Sequence, residues 1–354
     1  MNRSPISDIH TGKINTQEII KAERLDDIDI LRAFSIIVVV FFHCYGMMYA
    51  EGHFPNSMSV YENRYFTINQ SALINVAMPM FTYVSGYLFQ HLLMRGKYQT
   101  WGGLLKKKGL RILLPYLVFG AFFMVTTGNW HPLQLLNGDY WHLWFLPMLF
   151  WCFIIGYSIC RIKLNKCAEL ILLLLSFSGT LVPSFSSYVV GVSGAIHWFY
   201  WFYIGMLAWK YRDIVARYVV KYKLYVLFLL FYCIIIWQYP VYYGVSRLHV
   251  AYVIAITCLI LSVSTLMSKV DWGKYKITTS ITKFSAYSFG IYIWHNWVAL
   301  MLISNTSKRL LGLEALAANH VILFPLCFSL ITLAISWFLS WCMMKTKVGR
   351  FLIG

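Results

Sequence analysis

Arg32 and His43 stand eleven residues apart in one apolar run, LRAFSIIVVVFFHCYGMMY, just after the acidic group Asp26, Asp27 and Asp29. At 3.6 residues per turn this spacing is close to a whole number of turns, so on a helix both side chains leave one face, separated by roughly 16 Å along the axis. Asp29, three residues before Arg32, is placed to neutralise it. His295 lies about as far into a later apolar run as His43 lies into the first, which sets two imidazoles at similar depth. An imidazole titrates near pH 6.5, and an ionisable group at such depth is costly, so these histidines are candidates for proton exchange. The structural alternative is that Arg32 snorkels to the surface and both histidines are hydrogen-bonded packing residues. Lys106, Lys107, Lys108 and Arg111 crowd the expected N-terminus of a third apolar helix, where the dipole and free backbone N–H groups favour phosphate. Their alternative role is to set topology alone. Trp130, His131, Asp139, Trp141, His142, Trp144, His197, Trp198 and Trp201 gather at the opposite ends of the fourth and sixth apolar runs. Rings of this kind suit the apolar faces of sugars, and His and Asp suit their hydroxyls; an interfacial aromatic belt is the alternative.

The elements that position these groups follow from composition. The chain has 354 residues, 59% hydrophobic and only 12% charged, with mean hydropathy +0.63. Soluble domains carry about 25% charged residues. Apolar stretches at 30–50, 69–93, 110–127, 141–160, 167–183, 196–210, 222–240, 248–268, 284–304 and 320–344 predict an all-α integral membrane protein of about ten transmembrane helices in one bundle. With residues 1–29 in the cytoplasm, 24 of the 30 Lys/Arg fall on cytoplasmic segments and 4 on outer loops, namely Arg64, Arg247, Lys308 and Arg309. The positive-inside rule therefore predicts that both termini are cytoplasmic. The division is a tail of residues 1–29, a membrane domain of 30–344 and a tail of 345–354. The formal net charge of +17 is then accounted for by topology and contact with anionic membrane lipid, and no nucleic-acid partner is expected. Eight cysteines without ligand spacing predict no metal site, and the polar start of the chain predicts no cleaved signal peptide.

None of the 13 carboxylates falls in the middle of an expected span; Asp29 and Glu51 lie at the two ends of the first. That weighs against a proton-coupled transporter or a flippase for a lipid-linked saccharide, the rival function for a chain of this kind. The orienting partner of His43 must then be Asn75, Ser85, a tyrosine or a backbone carbonyl. The opening segment LDDIDILRAFSIIVVVFFHCYGMMY resembles the first helix of the acyltransferase-3 family, bacterial multi-pass membrane O-acyltransferases whose signature is Arg, ten residues, His. The resemblance continues in order through MPMFTYVSGYLF, KKKGLRILLPYL, HLWFLPMLF, WFYWFYIGML and FSAYSFGIYIWHNW, covering roughly residues 25–305. Where the family has Arg-x-x-Arg at the third helix, this chain has Lys108-Gly-Leu-Arg111; Lys keeps the charge but loses bidentate geometry. The resemblance implies transfer of an acyl group, most often acetyl, from cytoplasmic acyl-CoA to a hydroxyl of a surface polysaccharide or lipid-linked sugar. It implies His43 as general base with Arg32 in the catalytic pair, His295 and Asp29 in support, and Lys108 and Arg111 on the CoA phosphates. No permanently bound cofactor is implied, acetyl-CoA or another acyl-CoA being the donor substrate. No fused extracytoplasmic esterase-like domain is expected at this length.

Overall fold

A computed structural model describes residues 25–50, 60–162, 164–181, 191–238, 249–304 and 312–354. Within them the chain is helical throughout, with no strand. The helices are α1 (Asp26–Tyr45), α2 (Val60–Met94), α3 (Trp101–Lys108), α4 (Leu114–Thr127), α5 (Pro132–Asn137), α6 (Phe145–Ile162), α7 (Lys166–Gly179) and α8 (Val192–Lys210). They continue as α9 (Arg212–Lys221), α10 (Leu224–Gln238), α11 (His249–Lys269), α12 (Lys276–Ser285), α13 (Ser288–Leu302), α14 (Leu313–Asn319), α15 (Leu323–Lys345) and α16 (Lys347–Ile353). Local chemistry marks several ends. Thr100 Oγ1 and Asn165 Oδ1 accept from backbone N–H groups in the first turns of α3 and α7. Gly128 and Gly138, at φ 70° and 85°, end α4 and α5 in the left-handed region.

The described residues of the ten apolar stretches fall for the most part on helix. Among the described residues, five helical segments are long and apolar enough to cross a membrane: Asp26–Met48, Trp101–Thr127, Pro132–Ile162, His249–Lys269 and Leu323–Lys345. The pair α9 and α10, bent by 82°, makes a sixth if taken as one broken span. Large apolar side chains stand exposed on the outward faces of α7, α10 and α15, among them Leu174, Leu175, Leu227, Ile234, Leu330 and Phe338. Patches of that size suit lipid and not water. The N-terminal tail up to residue 24 lies outside the described residues, as do Glu51, Arg247, Lys308 and Arg309.

The helix that carries Arg32 and His43 is central. In the span containing α1 72% of the most apolar window is buried, against 33% for α15. α1 packs on α2, α12, α13 and α15, and α13 packs on α15. Around it α2 and α8 approach so closely that a Cβ on Gly86 would meet the Phe202 carbonyl oxygen at 1.9 Å and one on Gly205 the Tyr83 oxygen at 2.1 Å. Two tyrosine hydroxyls tie the outer layer to α2: Tyr83 Oη donates to Ser264 Oγ of α11 (2.9 Å) and Tyr232 Oη of α10 to the Ala72 carbonyl (3.0 Å).

Candidate active site

His43 lies in the last turn of α1, immediately before a π turn over Gly46–Ala50, a distortion frequent at functional sites. Its Nδ1 is 2.9 Å from the Val39 carbonyl oxygen and 3.3 Å from His295 Nε2. A carbonyl only accepts, so His43 Nδ1 carries the proton. His295 Nδ1 also faces carbonyls, Tyr292 at 2.6 Å and Ile291 at 3.3 Å, so its proton is there too and its Nε2 offers a lone pair toward His43. The orienting partners of His43 are therefore a backbone carbonyl, as one expected alternative had it, and His295. Ser85 Oγ turns to its own helix, donating to the Phe81 carbonyl at 2.9 Å, and the Asn75 side chain lies outside the described ones. This leaves His43 Nε2 with a lone pair and no hydrogen-bond partner among the described residues, on a side chain that keeps partial exposure. His295 is fully buried.

A third imidazole joins them. His142, in the 3-10 turn Trp141–Trp144 that leads into α6, is buried with its ring centroid 5.1 Å from that of His295. His142 Nε2–H donates to the Ile293 carbonyl (2.9 Å), and Tyr292 Oη donates back to the His142 carbonyl. This reciprocal pair fixes the turn to α13 at the level of His295. Sequence reasoning placed His142 in the outer aromatic group alone; the segment HLWFLPMLF was the signal that could have joined it to the histidines. The rest of that group divides. Trp141 stays beside His142, Trp144 packs on Trp198, Trp201 is buried in the core, and Trp130 is exposed.

Arg32 sits about 16 Å from His43 along α1. Its Nη2 bonds Asp29 Oδ1 at 2.8 Å and its Nε donates to Ser285 Oγ at 3.0 Å, while Ser285 Oγ donates to Asp29 Oδ1 at 3.2 Å. The Asp29–Arg32 pair is the one the i, i+3 spacing predicts; Ser285, which locks the start of α1 to the end of α12, was not foreseen.

The basic cluster differs from expectation. Lys106, Lys107 and Lys108 form the last turn of α3 and not the first turn of a helix, because the chain is already helical from Trp101 and passes through a π turn, Gly109–Leu113, into α4. The Gly109 N–H is spent on the Leu105 and Lys106 carbonyls, so no ring of free N–H groups is there for phosphate. Lys108 turns its ammonium onto the Phe153 ring, 3.3 Å from the centroid, with Tyr98 at 5.4 Å and Phe89 at 5.9 Å. Arg111 donates to the Gly354 carbonyl at 2.5 Å. Tyr98 also lines a cavity of about 550 Å³ between the C-terminal ends of α2, α6 and α8, where Lys210 pairs with Glu169 and Arg161 donates to the Tyr157 hydroxyl.

The frame is thus a helical membrane domain whose central helix presents a half-open imidazole. A family model described as an acyltransferase domain matches residues 25–341, nearly the whole chain. The chain belongs to the acyltransferase-3 family and is a membrane acyltransferase. No curated protein and no solved structure matches it.

Proposed function

We propose that this chain is an O-acyltransferase, transferring acetyl from cytoplasmic acetyl-CoA to a hydroxyl of a surface polysaccharide or lipid-linked sugar. In this reading it crosses the cytoplasmic membrane of a bacterium ten times with both termini inside. The observation that carries it is the state of His43: Nδ1–H is fixed between the Val39 carbonyl and His295, and the basic nitrogen, Nε2, is left open.

The reaction then needs one base. His43 Nε2 takes the proton of the acceptor hydroxyl as its oxygen bonds to the thioester carbonyl carbon. The C–S bond breaks, and the CoA thiolate leaves with the proton returned from His43 Nε2. No covalent enzyme intermediate is required, and atoms and charge balance within the pair of substrates. His295 supports the imidazolium that forms transiently, its Nε2 lone pair accepting from His43 Nδ1–H. Arg32 and Asp29 hold the inner end of α1, and Arg32 remains the cation of that helix nearest an incoming donor. Lys108 and Arg111 are the proposed contacts of the CoA phosphates; binding there must draw Lys108 from its aromatic box and Arg111 from the Gly354 carbonyl.

The test uses membranes containing the full chain, acetyl-CoA, and the polysaccharide and lipid fractions of source cells from which the gene has been deleted. Free CoA is expected to appear only when acceptor fraction is added. His43→Ala is expected to lower that release by about 10²–10⁴-fold at equal membrane content. Undiminished transfer by His43→Ala overturns the base assignment, and acceptor uptake without CoA release favours a transporter.

A further inference from the structure

The cavity of about 550 Å³ between the C-terminal ends of α2, α6 and α8 has three charged side chains in its wall, Arg161, Glu169 and Lys210. Glu169 is satisfied: its Oε1 takes Lys210 Nζ and its Oε2 the Tyr211 hydroxyl at 2.6 Å. Arg161 has no carboxylate partner among the described residues. It donates to the Gln99 carbonyl and, at 2.6 Å, to Tyr157 Oη, both through Nη2. A guanidinium carries five N–H donors, so those on Nε and Nη1 remain uncommitted. A second donor faces the same space. Gln90 lines the cavity and is only 8% exposed. Its Oε1 accepts from the thiol of Cys160, the chain neighbour of Arg161, at 3.4 Å, while its Nε2 amide meets no acceptor among the described residues. A buried amide donor left unmet is rare in a folded chain. Much of the remaining wall is apolar, with Leu93, Ile159, Met206 and Leu207.

We propose that this cavity binds the phosphodiester head group of an anionic membrane phospholipid. None of the residues lining it belongs to the imidazole group, and the proposal stands apart from the acyl-transfer reading. The uncommitted groups of Arg161 and Gln90 only donate, so the ligand must accept; phosphate oxygens do, and an ammonium does not. Charge narrows the class further. Lys210 and Glu169 cancel, so the lining keeps one positive charge, which a single phosphodiester neutralises. A CoA nucleotide brings several phosphate charges and leaves most of them unpaired there. The apolar wall takes the carbons next to the head group, as a soluble phosphate has no need of. In the proposed topology these helix ends lie at the cytoplasmic leaflet, where basic pockets between spans attract anionic head groups. The volume is that of an ordinary small-ligand site. A phosphate held by Gln90 and Arg161 ties α2 to α6, so the lipid acts as a clamp on the bundle.

The test follows the melting temperature of the full chain, washed in detergent until no lipid phosphorus remains, as phosphatidylglycerol, phosphatidylcholine, acetyl-CoA or inorganic phosphate is added. Phosphatidylglycerol is expected to raise it saturably, because a ligand bound only by the folded state stabilises that state. Phosphatidylcholine, whose head group carries no net charge, and inorganic phosphate at the same concentration are expected to leave it unchanged. Arg161→Gln removes the cation and is expected to weaken the apparent Kd for phosphatidylglycerol about tenfold to a hundredfold. Gln90→Leu keeps the volume, leaves the Arg161 contacts in place and is expected to weaken it about fivefold, so the site is read even where Arg161→Gln fails to fold. No shift with phosphatidylglycerol, an equal shift with phosphatidylcholine, or an unchanged apparent Kd in either folded variant overturns the site. A shift that depends on Arg161 with acetyl-CoA or inorganic phosphate but not with phosphatidylglycerol overturns the lipid assignment and gives the cavity to a soluble phosphate. Each of these results leaves the acyltransferase reading standing.

Discussion

At the scale of single residues, the site is a question of where protons sit. Three imidazoles meet, and backbone carbonyls decide the tautomer of each, so that one basic nitrogen, His43 Nε2, faces outward from the group. The Arg32 to His43 spacing was legible in the chain because both lie on one helix, where geometry follows from numbering. The contact of His43 with His295, 252 residues away, was legible only as a similarity of depth, and the arrival of His142 only through its place in the segment HLWFLPMLF, since it depends on how the Trp141–Trp144 turn meets α13. If His295 tunes His43 through its Nε2 lone pair, His295→Ala should lower kcat about 10²-fold with little change in either KM, and His295→Gln, whose amide oxygen can replace that acceptor, should recover part of the loss. Steady-state kinetics at saturating acceptor checks this. Equal activity of the Ala and Gln variants would reduce His295 to packing.

At the scale of elements, the sequence predicted helices well and their partners poorly. α2 and α8 are apolar on most sides, so no stripe announces which face is buried. Their contact is set by Gly86 and Gly205, each opposite a backbone carbonyl of the other helix. Gly86→Ala is therefore expected to destabilise the bundle by about 1–3 kcal/mol, despite the better helix propensity of alanine, read as a lowered melting temperature in detergent. A melting temperature equal to or above wild type would show that the two backbones can separate without cost. The basic cluster is the instructive miss. Hydropathy located the start of the third span near residue 110, and the polar turn before it, capped by Thr100, was helical all the same. A helix N-terminus expected at Lys108 became a helix C-terminal turn, and with it the reason for phosphate to bind the backbone there was lost.

At the scale of the whole molecule, the fold is a bundle organised about α1, with apolar residues turned outward on α7, α10 and α15. The charge asymmetry of the loops predicts that reporters fused at either terminus lie on the cytoplasmic side. A fluorescent protein fused to the N- or C-terminus should fluoresce, alkaline phosphatase at the same positions should be inactive, and phosphatase inserted in 51–59 should be active. Active phosphatase at the C-terminus would mean an odd number of crossings.

The amino-acid order by itself determined that the chain must fold in lipid, that it does so as helices, and that Arg32, Asp29 and His43 share one of them. It could do so because hydropathy and helical repeat act over neighbouring residues. Tertiary structure decided which helix is central, which carbonyls hold the imidazole protons, and that His142 joins His43 and His295. Those depend on contacts between segments distant in the chain, where nearly uniform apolar surfaces carry no local mark of what they will touch.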